Sequence, residues 1–256
     1  MSILLSPIRR ALMLAASLAL LAGCVQPTTT ATSAPETTNR KVPASVMARY
    51  AGSDEGPYHV ATVDPNYLDE RRYRVTVAYT GPEPAGTIVV DPYARVLYLV
   101  TGPQRAWRYG IAVGRAGKGF SGNATIQRKE EWPSWTPTAR MVRTEPELYA
   151  AYAGGLPGGG ANPLGARALY LYRGGRDTYY RIHGTNETYS IGRATSAGCI
   201  RLFNQDIIDL FERVPLGAHV KVRTLAESQA QEGVLQEGSD GLLQLVVPPA
   251  WARGNG

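Results

Sequence analysis

HGTNETYSIGRATSAGCIRL, residues 183–202, places one of the chain's three histidines and one of its two cysteines 16 positions apart (199 − 183), each beside a glycine. YYRIH (179–183) reads as a strand ending at His183, and Asn204 reads as the N-cap of a helix running through Val214. Cys199 then falls in the loop just before that helix. A thiol needs help to ionise near neutral pH, and an imidazole within hydrogen-bond reach supplies it. Gly184 and Gly198 permit close backbone approach, and the amides of Gly198 and Cys199 could point at one developing oxyanion. Nucleophile, base and oxyanion donors together are the equipment of acyl transfer. A Cys–His pair can also bind metal. Here only His59 and His219 remain as further histidines, so a zinc site would have to recruit carboxylates. His59 reads as an exposed loop residue and His219 as a satisfied structural one.

Working outward, the flanking segments are strands. ALYLY (168–172) and YYRIH are joined by Arg173-Gly174-Gly175-Arg176-Asp177 and read as a hairpin. TIVVD (87–91) and RVLYLVT (95–101) flank Asp91-Pro92-Tyr93-Ala94 and read as another. RYGIAVG (108–114) is a third strand of that group, and HVKVRT (219–224) closes the domain. The glycine- and proline-rich residues 115–141, and GGLPGGGANPLG (154–165), read as loops with short strands. Ile207, Leu210, Phe211 and Val214 give the expected helix one apolar face, and Pro215 and Gly217 stop it. Pro43 to Tyr50 is a short helix candidate. The tail has a small apolar patch, LLQLVVPPAW (242–251), and no internal repeat is visible.

Composition agrees: 256 residues with 28 glycines, 18 prolines and 15 tyrosines lean towards a turn-rich β fold. Net charge is +6, from 27 basic and 21 acidic side chains, and falls to +4 without Arg9 and Arg10. That charge is scattered, and nucleic-acid binding, which needs a concentrated basic stripe, is not expected. The N-terminus has two arginines, then an apolar run too short for a comfortable membrane span, which is the build of a secretory signal. It ends at Leu21-Ala22-Gly23-Cys24, which resembles the lipobox of bacterial lipoproteins. That resemblance implies lipidation at Cys24, a signal at 1–23 and, with Val25 and Gln26 following, the periplasmic face of an outer membrane. Residues 24–42 read as a disordered tether, 43–84 as an N-terminal extension, 85–224 as the catalytic domain and 225–256 as a C-terminal extension. If Cys24 carries lipid, Cys199 has no disulfide partner and is an unpaired thiol in an oxidising compartment.

IHGTN followed by S-A-G-C-I-R-L resembles the signature of L,D-transpeptidase (YkuD-type) catalytic domains of bacterial cell-wall enzymes. The likeness extends from about Gly86 to Arg223, through GRAGKGFSGNATI, EWPSWTPTARM, GGGANPLGARALYL and PLGAHVKV. It implies a mainly β, sandwich-type domain with one or two short helices. Cys199 resembles the nucleophile and His183 the base, oriented by a backbone carbonyl, which Gly184 would supply. Arg201 resembles the arginine that shapes the site, and Ser196 the residue that braces the motif loop. Trp132, Trp135 and Met141 resemble the border of the substrate groove, and Thr185 and Asn186 are candidates to brace the catalytic loop. The commoner family form reads S-H-G-C, and here Ala197 replaces that histidine. The base assigned by the resemblance is the upstream one, retained as His183.

The resemblance implies attack on the L,D bond before the terminal D-alanine of a peptidoglycan tetrapeptide stem. A thioester would form, then pass to a second stem, to water, or to an amine of an outer-membrane protein. No metal or organic cofactor is implied. A weak wall-binding lipoprotein and a thiol amidase are the alternatives.

Overall fold

The computed structural model describes residues 42–115 and 119–252. The signal, nearly all of the tether and Cys24 lie outside the described residues. A short α1 (Ala44–Arg49) and a ribbon of β1 (Ser53–Glu55) and β2 (Tyr58–Val60) precede β3 (Val75–Ala78). The hairpin β4 (Ile88–Asp91) and β5 (Val96–Gly102) follows, then β6 (Arg105–Gly110), β7 (Val113–Gly114) and the long β8 (Asn123–Glu131). Helices α2 (Ala139–Thr144) and α3 (Pro146–Tyr149) lead to the hairpin β9 (Arg167–Arg173) and β10 (Arg176–His183). Next come β11 (Ala194–Ser196), β12 (Ile200–Arg201) and α4 (Asn204–Arg213). The chain continues through β13 (His219–Val222), α5 (Leu225–Glu232) and the ribbon β14 (Val234–Glu237) and β15 (Leu243–Val247).

Nine strands form one sheet in the order β12-β10-β9-β8-β13-β4-β5-β6-β3. The molecule is predominantly β, the expected fold class, with short helices. Successive side chains of a strand point to opposite faces, so each strand feeds both. On one face Ile88, Val90, Leu97, Leu99, Ile126, Leu169, Leu171, Ile182 and Ile200 pack against Ile207 and Leu210 of α4 and Val214 just after it. On the other, Val89, Val96, Tyr98, Val100 and Ala106 form a second cluster with Tyr79 and Leu235, at the β4–β5–β6 end only. The C-terminal segment covers that end: Tyr98 donates to Glu232 at 2.6 Å, and Arg223 pairs with Asp91 at 3.1 Å and Glu232 at 3.2 Å. The opposite end of this second face carries Arg128, Glu130, Tyr170, Arg181 and His183.

Several local expectations need correction. RYGIAVG breaks into β6 and β7, because Ala112 leaves the pairing with β5 to exchange backbone hydrogen bonds of 2.9 and 3.0 Å with Arg201 of the edge strand β12, and β7 then pairs with β11. The region expected as loops with short strands holds the nine-residue β8, whose polar residues conceal it from a hydrophobicity reading. β13, the strand expected to close the domain, sits mid-sheet between β8 and β4, parallel to β4. Its His219 is exposed. Phe203, not Asn204, caps α4.

Candidate active site

The parallel pairing of β10 with β12 sets Ile182 beside Ile200 and His183 beside Arg201. The two isoleucines enter the core, so the pleat turns Arg181, His183 and Arg201 to the other face. Cys199, one residue before β12, arrives next to Arg181, whose main-chain N–H hydrogen-bonds the sulfur. Sixteen residues of separation are thus closed by one strand pair. The loop between is held by Gly192 N–H on Ile111 O (3.1 Å) and by Val113 N–H on Arg193 O (3.1 Å).

His183 is 3% exposed and its Nδ1 lies 2.6 Å from Gly184 O. A carbonyl only accepts, so Nδ1 carries the hydrogen and Nε2 keeps its lone pair. Burial, and after it the Arg201 charge, lowers the imidazole pKa to about 3, against the opposing pull of the Gly184 and Leu164 carbonyls. The ring is therefore neutral at ordinary pH and in the tautomer of a proton acceptor. Cys199 is free and half-buried. Desolvation pushes its thiol up, while Arg181 and then Arg201 pull it down and Asp177 opposes them. Among the described residues no hydrogen bond joins the thiol to the imidazole, so the resting pair is a neutral thiol beside a neutral base.

Two glycines are dictated by geometry. A Cβ on Gly184 would stand 2.2 Å from Asn204 Oδ1. That carboxamide accepts from Ala166 N–H at 2.9 Å and donates to Thr185 O at 3.1 Å, tying β9 and the catalytic loop to the start of α4. Gly198 has φ 142°, a conformation costly for any side chain. Its N–H donates to Ser196 Oγ at 3.1 Å, and the same hydroxyl donates to Cys199 O at 2.7 Å. The Gly198 N–H, expected as an oxyanion donor, is thus bonded to the serine hydroxyl two residues back in this structure. Ala197 between them is exposed.

Arg201 is half-buried and paired with Glu187 at 2.6 Å. Glu187 N–H donates to the buried Thr185 hydroxyl at 3.0 Å, and Asn186 Nδ2 donates to Ala161 O at 3.1 Å. Trp135 belongs to a separate wall: its backbone bonds Leu156, and its ring meets Tyr149 at 6.2 Å and Tyr152 at 6.1 Å. Tyr149 feels the charges of Arg115, Arg201 and Glu187, which brings that wall to the site margin. Glu145 pairs with Arg115 at 3.0 Å, and Arg115 N–H donates to Ser196 O at 3.1 Å. Met141 lies on α2, and Trp132 donates to Glu55 O through Nε1 at 2.9 Å. Asn204, Arg181 and Asp177 are the residues that sequence reasoning missed. Asn204 was legible as polar and close to the motif, but its cap-like position offered a simpler reading. Among the described residues, no group of three or more His, Cys, Asp or Glu side chains could hold a metal ion.

A half-buried thiol, a neutral imidazole held by a carbonyl and a glycine-bearing loop define a thiol–imidazole site of the acyl-transfer kind. Residues 85–222 match the L,D-transpeptidase catalytic domain, YkuD, and with more than half of its length matched the chain belongs to that family. It is 37% identical over 138 residues to "Probable L,D-transpeptidase YbiS" of Escherichia coli strain K12, covering 53% of this chain and 44% of that one. It is 36% identical over 139 residues to "Probable L,D-transpeptidase ErfK/SrfK" of the same strain, covering 54% and 43%. The chain thus spans less than half the length of these relatives. A solved structure from Brucella melitensis, described as a probable carnitine operon oxidoreductase caia, is 48% identical and covers 62% of this chain and 98% of that one. Its TM-score of 0.42 is too low to carry weight.

Proposed function

We propose that this protein is an L,D-transpeptidase that acts on peptidoglycan tetrapeptide stems through a thioester at Cys199. The observation that carries the reading is the neutral His183, fixed by Gly184 O and set one strand away from Cys199, inside the family-matched region. His183 Nε2 takes the thiol proton as Sγ attacks the carbonyl carbon that links the third stem residue to D-alanine. The Cys199 amide is the oxyanion donor left on this loop, because the Gly198 N–H is bound to Ser196. The C–N bond then breaks, His183 returns the proton to the departing D-alanine amine, and the thioester remains. An acceptor amine attacks that thioester, an amide forms, and the thiol is regenerated. A second stem gives a cross-link between diamino acids, a protein amine gives a wall-bound protein, and water gives a tripeptide. Arg201, held by Glu187, borders the site as a cation for the anionic stem.

The test is intact-protein mass spectrometry of the full-length chain with a disaccharide-tetrapeptide, beside Cys199→Ala and His183→Ala. The expected result is a Cys199-dependent adduct equal to the donor without D-alanine, and a dimer among the products. Tripeptide alone would make the protein a carboxypeptidase. No adduct from folded protein would sink the enzymatic reading and leave a wall-binding protein. We also place the protein at the outer membrane through lipid on Cys24, on the support of the apolar run and the LAGC sequence. Failure of Cys24 to take up labelled palmitate in cells would remove that placement.

A further inference from the structure

Ala197 leaves no ionisable side chain between Ser196 and Cys199, so any charge that tunes the sulfur comes from outside the motif loop. The strand register names the source. Arg181 pairs with Tyr170 on β9, and Tyr170 with Arg128 on β8, so Arg181, Tyr170 and Arg128 form one row across three strands, with Cys199 beside Arg181 just before β12. Arg181 is fixed in that row. Its guanidinium grips Asp177 with two bonds of 2.7 and 2.8 Å and lies 4.2 Å from the centre of the Tyr170 ring. Arg128 lies 4.4 Å from the same ring. A register irregularity between Asp177 and Arg181 brings the carboxylate back under the guanidinium, and Tyr179 within it takes φ 63°. Fork-to-fork pairs of this kind hold an arginine in one orientation.

We propose that Arg181 is a positioning residue for Cys199, holding its amide and its charge against the sulfur so that the thiolate is favoured, with Asp177 as the counterweight that limits the effect. The proposal rests on Cys199 being the nucleophile. Among the described residues, the charged groups acting on the sulfur are Arg181 and Asp177 from β10 and Arg201 from β12, the last paired with Glu187; His183 shares their sheet face. Of the cations, Arg181 acts more strongly on the thiol than Arg201, and Asp177 acts in the opposite sense.

The opposing signs give the test. Full-length wild type, Arg181→Gln, Arg181→Lys and Asp177→Asn are treated with iodoacetamide from pH 6 to 11. Alkylation of the peptide bearing Cys199 is followed by mass spectrometry. His183 titrates near pH 3, so the profile in this window reports the thiol. Arg181→Gln should raise the midpoint by about one pH unit, and Asp177→Asn should lower it. Arg181→Lys should restore most of the wild-type midpoint. At pH 7 a one-unit rise cuts the thiolate about tenfold. The more basic thiolate is about threefold more nucleophilic, so the rate falls about threefold. A purely structural clamp would move Arg181→Gln and Asp177→Asn the same way, because both break the same pair, and that result overturns the proposal. Should Arg181→Gln not fold, an unchanged or raised midpoint in Asp177→Asn overturns it alone. The assay needs no turnover, so its outcome is separate from that of the tetrapeptide experiment.

Discussion

Gly184→Ala probes the joint between His183 and α4. The new methyl would stand 2.2 Å from Asn204 Oδ1 and 3.1 Å from both Ala166 N and Ile207 Cγ2. The backbone here belongs to two strands' pairing and cannot retreat, so the carboxamide must swing away. It then abandons the Ala166 N–H and the Thr185 carbonyl, bonded at 2.9 and 3.1 Å. Each group left unsatisfied in the interior costs about 1–3 kcal/mol, so the substitution should destabilise the fold by roughly 2–4 kcal/mol. Asn204→Ala orphans the same two groups and should cost a similar amount. Once Asn204 is truncated, however, the Gly184 methyl meets only contacts near 3.1 Å, and its added cost should fall to about 1 kcal/mol. The double-mutant cycle should therefore show a coupling of about 1–3 kcal/mol, measured by urea unfolding of the four full-length proteins. Additive losses, or a neutral Gly184→Ala, would refute the claim that Asn204 is why position 184 is glycine.

Three further outcomes follow from the site. Because His183 has its pKa lowered from 6.5 to about 3, the unfolded chain binds its proton first. Stability should fall by up to about 1.4 kcal/mol per pH unit as pH drops from 6.5 towards 3. An NMR titration of His183 that moves near pH 6.5 would contradict this. Tyr50 donates to the fully buried Asp206, whose pKa is raised by burial to about 7. This bond favours the carboxylate, so Tyr50→Phe should raise that pKa further and cost more stability at pH 8 than at pH 5.5; an equal loss of Tm at both would count against it. Gly198→Ala forces a side chain into φ 142° and should cost about 1–3 kcal/mol while slowing thioester formation. Unchanged acylation by the tetrapeptide would show that the loop conformation is not needed.

Much of this was legible along the chain. The near-continuous apolar runs of IVVD and VLYLV announce strands buried on both faces, and Gly174-Gly175 marks the turn between β9 and β10. The apolar face of α4 also needed only local spacing. These features are set by side-chain periodicity and by residues with special backbone freedom, which act within a few positions. β8 was not legible, since its outer half, QRKEE, is polar and is held as a strand by the neighbours that bond its backbone. The central place of β13 beside β4 was hidden for the same reason: 132 positions (220 − 88) separate Ile88 from its partner Val220, and nothing local records the pairing. The C-terminal extension offers the sequence reading only a small apolar patch, yet α5 covers one end of the sheet through Glu232.

The sequence alone thus supplied the reactive groups, a thiol, an imidazole and their glycines, because these are chemical identities that folding does not change. Tertiary structure decided how they are set to work. Only the register of β10 against β12 puts Arg181 beside Cys199, only close approach makes Asn204 the brace of Gly184, and only burial keeps His183 neutral. Each of those depends on groups brought together from distant positions, whose distances and desolvation exist only once the chain has closed on itself.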